Sequence, residues 1–132
     1  EVDLPPEMRC TTEEELSAAA RMPGITLGSH SWSHPDLSQL SREQLGEELT
    51  RPLAWLRERY QTVVPYLTYP YGLSSPAVEE AARAAGYRAA LRVSGGWATS
   101  TARERYALPR LNVPAGLSAN GFALRASGLF CE

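Results

Sequence analysis

The sequence contains no lysine, and all 13 of its basic residues are arginines. A chain without lysine cannot form a Schiff base through an ε-amine and cannot use the lysine of a phosphate-binding P-loop. The 15 acidic residues give a formal net charge of -2, and the arginines are scattered along the chain. This distribution argues against a nucleic-acid partner, because surfaces that track phosphates concentrate positive charge.

Aspartate and cysteine are also scarce. Asp3 and Asp36 are the only aspartates, so a site that needs two Asp carboxylates would have to recruit both. Cys10 and Cys131 lie near opposite ends of the chain, where two free thiols are favoured over a disulfide.

Long apolar runs are missing as well. No stretch approaches the roughly 20 apolar residues that cross a bilayer, and the N-terminus lacks the basic flank and apolar segment of a secretion signal. The 132 residues suffice for one domain but fall well short of the roughly 250 typical of a closed eight-stranded α/β barrel. We expect a soluble protein, a single domain over residues 1–132, and no membrane span.

Helix and strand signals alternate along the chain. Helices are predicted from about Thr12 to Arg21, from Ser41 to about Arg59 and from Pro76 to the C-cap Gly86, and strands over 25–28, 63–68, 87–93 and 106–113. Strands separated by helices predict βαβ crossovers and a parallel sheet covered by helices. In such sheets the functional loops lie beyond the carboxyl ends of the strands.

Both histidines fall in one segment, HSWSH at 30–34, in the predicted loop over 29–40 directly after the first strand. Two imidazoles four residues apart can reach one metal ion, and Pro35 disfavours a helix at His34, so the pair is expected to converge from a loop. A third ligand and a water molecule would complete a hydrolytic site. The alternative is a loop whose rings bond to backbone or serine groups, and spacing alone does not decide between the two. For Asp36 we expect helix capping rather than metal binding.

Two further segments place polar groups near strand ends. Tyr69-Pro70-Tyr71-Gly72 follows the second strand, and its glycine lets the backbone approach a ligand closely. A rigid turn of this kind can present a backbone N–H to an oxyanion, although a plain turn with packed tyrosines is the alternative.

In the predicted fourth strand, Arg110 and Asn112 alternate with apolar neighbours and so share one side. A parallel sheet would gather these groups on one rim. Trp97 either lines that rim as an apolar or sugar-stacking surface or belongs to the core.

These motifs together resemble a known family. The segment GSHSWSHPDL at 28–37 resembles the metal motif of the polysaccharide deacetylases, the NodB-homology group of carbohydrate esterases. Tyr69–Gly72 resembles their next motif, and LPRLNV at 108–113 is similar to a later segment in one branch. The resemblance covers about Ile25 to Val113. It implies an α/β fold, a partial or distorted (β/α)7-type barrel, and metal-dependent removal of N- or O-acetyl groups from a glycan.

The resemblance also implies roles for individual residues. His30 and His34 would bind a divalent metal, for which nitrogen ligands of borderline softness favour zinc. The backbone N–H of Tyr71 would help hold the oxyanion. Arg110 would replace an arginine that precedes the Pro-Tyr-Gly turn in many members. Substrate contacts are expected from Pro70, Tyr71, Gly72 and Trp97.

The sequence departs from the family pattern in two places. It contains no Asp-Asp pair, which in the family supplies the general base and the third metal ligand, and no histidine follows His34 to act as the late general acid. We therefore expect the C-terminal portion of a deacetylase whose N-terminal strands are absent from this chain and whose activity alone is in question. An incomplete barrel would expose an apolar sheet edge, which favours self-association.

Two alternatives remain at this point. The chain is either a non-catalytic remnant of the fold that binds metal or glycan, or a helical adaptor-like scaffold in which the histidines and the Tyr-Pro-Tyr-Gly turn are structural.

Overall fold

A computed structural model describes residues 9–93 and 105–128, in which helices and strands alternate. The elements are α1 (Glu13–Ala20), β1 (Leu27–Ser29), α2 (Arg42–Arg59), β2 (Val63–Thr68), α3 (Pro76–Ala84), β3 (Ala89–Leu91) and α4 (Ala119–Ala126), with 3-10 turns at Leu37–Gln39 and Pro70–Gly72. Within these ranges, no helix combines the length and apolar character needed to cross a bilayer.

Side-chain caps explain where the helices begin. Thr12 and Ser41 each form a capping box with the residue three positions on, at the starts of α1 and α2. Ser75 caps α3, whose first residue is Pro76. These three helices were predicted because their capping signals are local. The helix α4, capped by Ser118, was not predicted, although Ser118 and Gly128 could have marked its two ends.

The three strands form one parallel sheet in the order β1-β2-β3, which confirms the predicted βαβ connections. Strands β2 and β3 pair residue for residue, from Tyr66 opposite Ala89 to Thr68 opposite Leu91. Between β1 and β2 the register is irregular. Leu27 and Ser29 are two residues apart on β1, whereas their partners on β2, Val63 and Leu67, are four residues apart. Pro65, which has no N–H to donate to a sheet ladder, lies within this irregular stretch.

The predicted fourth strand over 106–113 is wrong in extent. Only a single parallel bridge forms, between Leu91 and Leu108, where the Leu108 N–H donates to the Ala90 carbonyl. Pro109 follows immediately and has no N–H, so the ladder cannot continue through it. The third strand is likewise shorter than the predicted 87–93.

One face of the sheet is buried beneath α2 and α3. The buried residues of α2 share one face of the helix: Leu45, Leu49, Pro52, Leu53 and Leu56. On β2, Leu67 is fully buried in the same cluster, whereas its neighbour Tyr66 is 44% exposed. Because side chains alternate along a strand, Tyr66 lies on the opposite, open face of the sheet.

Three buried tyrosines connect the elements of the core. The Tyr69 hydroxyl donates to the Tyr106 carbonyl and the Tyr106 hydroxyl to the Tyr87 carbonyl, each at 2.8 Å. The Tyr87 hydroxyl donates to the Leu49 carbonyl at 2.8 Å and lies 2.7 Å from Ser29 Oγ. Burial raises the pKa of both Tyr69 and Tyr87, so their phenols remain protonated donors. These linked hydrogen bonds fix Tyr69 at the start of the Pro-Tyr-Gly turn.

Candidate metal centre

The sequence motifs lie at the carboxyl edge of the sheet. His30 directly follows β1, and the turn at Pro70–Gly72 follows β2. Since the strands are parallel, both segments emerge at the same edge. The fold therefore brings together the histidine loop and the Pro-Tyr-Gly turn, which are about 40 residues apart in sequence.

A hydrogen bond fixes the orientation of the His30 ring. Its Nδ1 lies 2.7 Å from the carbonyl oxygen of Thr68. A carbonyl can only accept, so Nδ1 carries a proton, and in the neutral ring Nε2 keeps its lone pair. Histidines that bind metals usually donate their other ring N–H in this way, which sets the tautomer and the ring direction.

His34 lies beside His30 at a separation that suits a shared ion. Their ring centroids are 4.8 Å apart and their planes meet at 75°. Two imidazole bonds of about 2.0–2.1 Å to one zinc ion place the ring centroids at a comparable separation of roughly 5 Å. A donor set of two imidazole nitrogens thus fits a zinc ion, with further ligands required to complete it. The centroid of the Tyr71 ring lies 4.9 Å from that of His34.

Backbone strain is concentrated at the same place. Among the described residues, Ser31, His34 and Tyr71 are the only non-glycine residues with positive φ, at 65°, 61° and 55°. Such a conformation costs of order 1–3 kcal/mol and persists only where surrounding contacts enforce it. All three belong to the two segments that meet around His34. Strain at this density is typical of functional sites.

The apex of the histidine loop is held by Glu48 of α2, which the sequence analysis did not identify. Its carboxylate accepts the N–H groups of Trp32 and Ser33 at 3.0 and 2.9 Å, and the Ser33 hydroxyl at 2.6 Å. Burial alone would raise the pKa of Glu48, but the hydrogen bonds from Ser33 and Trp32 and the charge of Arg51 together lower it below its ordinary value. A glutamate on a helix that also carries many solvated charges gives no local signal of this contact.

The Pro-Tyr-Gly turn presents Tyr71 outward. The hydrogen bonds that close the turn come from the N–H groups of Gly72, to the Tyr69 carbonyl at 3.0 Å, and of Leu73, to the Pro70 carbonyl at 3.2 Å. The Tyr71 N–H is not used in either. Pro70 is buried, whereas the Tyr71 side chain is 61% exposed. This arrangement leaves the Tyr71 N–H as a candidate donor near the histidines.

Arg110 and His30 line the same open cleft on the uncovered face of the sheet. The cleft has a volume of about 350 Å³ and is lined by Gly28, Ser29, His30, Tyr66, Thr68 and Arg110. The fold thus brings Arg110 to the rim, although the strand expected to carry it does not form. Tyr66 was missed because its place on the open face depends on the register. Trp97 lies outside the described residues, so its predicted role is untested.

Carboxylates near the histidines are committed to other contacts. Asp36 caps the 3-10 turn at Leu37–Gln39 and accepts from the Ser38 N–H and hydroxyl at 3.0 and 2.7 Å, which confirms the expected capping role. Glu48 is occupied by the loop backbone. Over 9–93 and 105–128, no group of three His, Cys, Asp or Glu residues is placed to hold a metal ion.

Comparison with known proteins identifies the family. The polysaccharide deacetylase family profile matches residues 8–90, more than half of the chain. The chain belongs to the polysaccharide deacetylase family. The matched range contains the histidine loop and the Tyr69–Gly72 turn, the two segments on which the resemblance chiefly rested. The third segment of the resemblance, over 108–113, lies outside the residues that the family profile matches.

Individual relatives agree with this assignment. YxkH of Bacillus subtilis (strain 168), whose name assigns it provisionally to the polysaccharide deacetylases, is 28% identical over 111 residues, which are 84% of this chain and 39% of YxkH. The chain thus spans about two fifths of that relative.

Solved structures show the same fold at lower identity. The Streptococcus pyogenes deacetylase PplD, determined with acetate, matches with a TM-score of 0.65 and 22% identity, over 73% of this chain and 42% of PplD. The polysaccharide deacetylase BC0361 of Bacillus cereus matches with a TM-score of 0.69 and 20% identity, over 86% of this chain and 34% of BC0361. The parallel α/β architecture is therefore that of part of a deacetylase fold, and not of a helical scaffold.

Proposed function

We propose that this chain carries part of the site of a metal-dependent deacetylase that removes N- or O-acetyl groups from a polysaccharide or amino sugar. The observation that supports this most directly is the hydrogen bond from His30 Nδ1 to the Thr68 carbonyl, with the His34 ring 4.8 Å away. Together these leave the Nε2 lone pair of a neutral His30 available beside the His34 ring at the edge of the sheet. The acetylated glycan is the proposed partner.

His30 and His34 would hold the ion, for which zinc is the best match to two imidazoles. A divalent ion at this position acts as a Lewis acid toward the acetyl carbonyl and water. The protein residues then have the tasks of orienting the glycan and of stabilising charge that develops on the carbonyl oxygen.

Tyr71, Arg110 and the surrounding cleft would perform these tasks. Water adds to the acetyl carbonyl, and the bond to the sugar nitrogen or oxygen then breaks to release acetate and a free amine or hydroxyl. The Tyr71 N–H donates to the carbonyl oxygen as negative charge develops on it. Arg110 orients the base, and Pro70, Gly72 and Trp97 contact the sugar.

The general base and the third metal ligand would come from carboxylates outside the described residues. Asp36 caps a turn and Glu48 holds the loop, so both carboxylates are already engaged. Hydrolysis of an amide or ester needs a base for the water and an acid for the leaving group. We therefore propose that this chain alone binds metal and has little or no deacetylase activity.

Zinc binding tests the proposed ligands. Isothermal titration of the purified chain should show one zinc site, and His30→Ala and His34→Ala should each abolish it. Glu47→Gln, at an exposed position on α2, is the matched control and should bind as the parent does. A parent chain that binds no zinc, or histidine variants that bind it unchanged, would refute the metal-dependent reading.

A measurement of acetate release distinguishes the proposed catalytic function from the alternative, a non-catalytic remnant that binds metal or glycan. The substrate is an oligomer of N-acetylglucosamine, assayed with the chain alone and with the chain fused to an N-terminal segment that carries an Asp-Asp strand. Acetate release only from the fusion, lost again in His34→Ala, supports the proposal. Zinc binding without acetate release in either form supports a non-catalytic remnant.

A further inference from the structure

The backbone of the loop that carries both histidines is hydrogen-bonded to α2 through the side chain of Glu48. Glu48 Oε2 accepts the N–H groups of Trp32 and Ser33, and Oε1 accepts the Ser33 hydroxyl. The two residues whose N–H groups it accepts lie between Ser31 and His34, the two loop residues with positive φ. One carboxylate therefore fixes the backbone at the centre of a strained segment.

The remaining contacts of the loop are consistent with this attachment. The Ser31 hydroxyl accepts the His34 N–H at 3.0 Å, so the position of His34 depends on the conformation at Ser31. Arg51, one helical turn beyond Glu48, places its guanidinium 3.9 Å from the centroid of the Trp32 ring. Residues on one helix thus contact both the backbone and the ring at the loop apex.

We propose that Glu48 is a positioning residue for the His30–His34 pair, acting through the backbone of the loop and without contact to the ion or the substrate. The inference rests on the proposed metal-binding function. Two imidazoles bind one ion tightly only when the loop already holds them at the required separation, since otherwise binding must also order the loop. Positive φ at His34 makes this ordering costly when the apex is released.

Two substitutions weaken the contact between Glu48 and the loop to different degrees. Glu48→Ala removes all three hydrogen bonds, whereas Glu48→Gln keeps one acceptor oxygen on a side chain of equal size. We expect zinc affinity to fall about 10- to 100-fold in Glu48→Ala, as it does when other outer-shell partners of metal ligands are removed, and to be intermediate in Glu48→Gln. Glu47→Gln is the control and should leave zinc affinity unchanged.

A second readout does not depend on zinc. Amide hydrogen exchange, followed by NMR in the metal-free chain, should quicken at Trp32, Ser33 and His34 in Glu48→Ala while the core amides of Leu49 and Leu67 stay protected. If Glu48→Ala does not fold, the same comparison is made with Glu48→Gln.

The outcomes distinguish this inference from the proposed function. Unchanged zinc affinity in the Glu48 variants overturns the positioning role, as does a loss of affinity accompanied by equal loosening of the core. If the parent chain binds no zinc, the proposed function fails, and unchanged exchange at the loop amides would then also overturn the role of Glu48.

Discussion

At the scale of single residues, the site depends on backbone conformations that most side chains avoid. Ser31, His34 and Tyr71 adopt positive φ without being glycine, and Gly72 adopts it with φ of 69°. A Cβ added at Gly72 would overlap the side chain and the backbone nitrogen of Val93. Gly72 therefore meets two requirements at once, a left-handed conformation and close approach of the segment that follows β3.

We expect Gly72→Ala to lower the free energy of unfolding by about 2–4 kcal/mol, since the strain of positive φ and the overlap with Val93 add together. Gly24→Ala is the matched control, because Gly24 has φ of 85° but open space where a Cβ would lie. Urea unfolding followed by circular dichroism measures both. Equal losses in the two variants would show that the overlap with Val93 contributes nothing.

At the scale of elements, buried phenols join α2, β1 and the segments around β3. Tyr87 is 2% exposed, and its hydroxyl contacts the Leu49 carbonyl and Ser29 Oγ. Removing that hydroxyl deprives two buried polar groups of a hydrogen-bond partner, which costs free energy of folding.

We expect Tyr87→Phe to reduce the free energy of unfolding by about 1–3 kcal/mol. Tyr66→Phe removes the same atom from a side chain that is 44% exposed, and should change stability by less than about 0.5 kcal/mol. Thermal unfolding of the two variants and the parent gives the comparison. A Tyr87→Phe variant as stable as Tyr66→Phe would argue against an energetic role for the tyrosine chain.

The elements also show what sequence can and cannot predict. Helices α1, α2 and α3 and strand β2 were predicted because caps, apolar spacing and β-branched runs act locally. The prediction of the fourth strand extended too far, because polar and apolar residues alternate past Pro109, where the missing N–H ends the ladder. Glu48 could not be predicted, because its contacts join residues 15 and 16 positions apart through the geometry of the fold. The histidine loop was recognisable because both histidines lie within one pentapeptide.

At the scale of the whole molecule, the described sheet is covered by helices on one face and open on the other. Strand β1 pairs only with β2 among the described strands, so its other edge has no strand partner there. Tyr66 and Ile25 are exposed at 44% and 40% on or next to this sheet. An uncovered edge and apolar surface of this kind favour pairing with another chain.

We therefore expect the isolated chain to self-associate as its concentration rises. Size-exclusion chromatography with multi-angle light scattering should give a mass above 14.5 kDa that increases with loading. Fusion to a segment that supplies a strand beside β1 should restore a monomer. A single monomeric species at every concentration would contradict the expectation.

The irregular register between β1 and β2 has a consequence for the chemistry of His30. Pairing one residue for one from Leu27 opposite Val63 would bring Ser29 opposite Pro65 and His30 opposite Tyr66. The two extra residues on β2 instead bring Ser29 opposite Leu67 and leave His30 beside Thr68, whose carbonyl determines which ring nitrogen carries the proton. The length of one strand therefore selects the tautomer of a side chain on its neighbour. If the histidine loop were transplanted onto an evenly paired sheet, no carbonyl would be placed to fix the proton on His30 Nδ1.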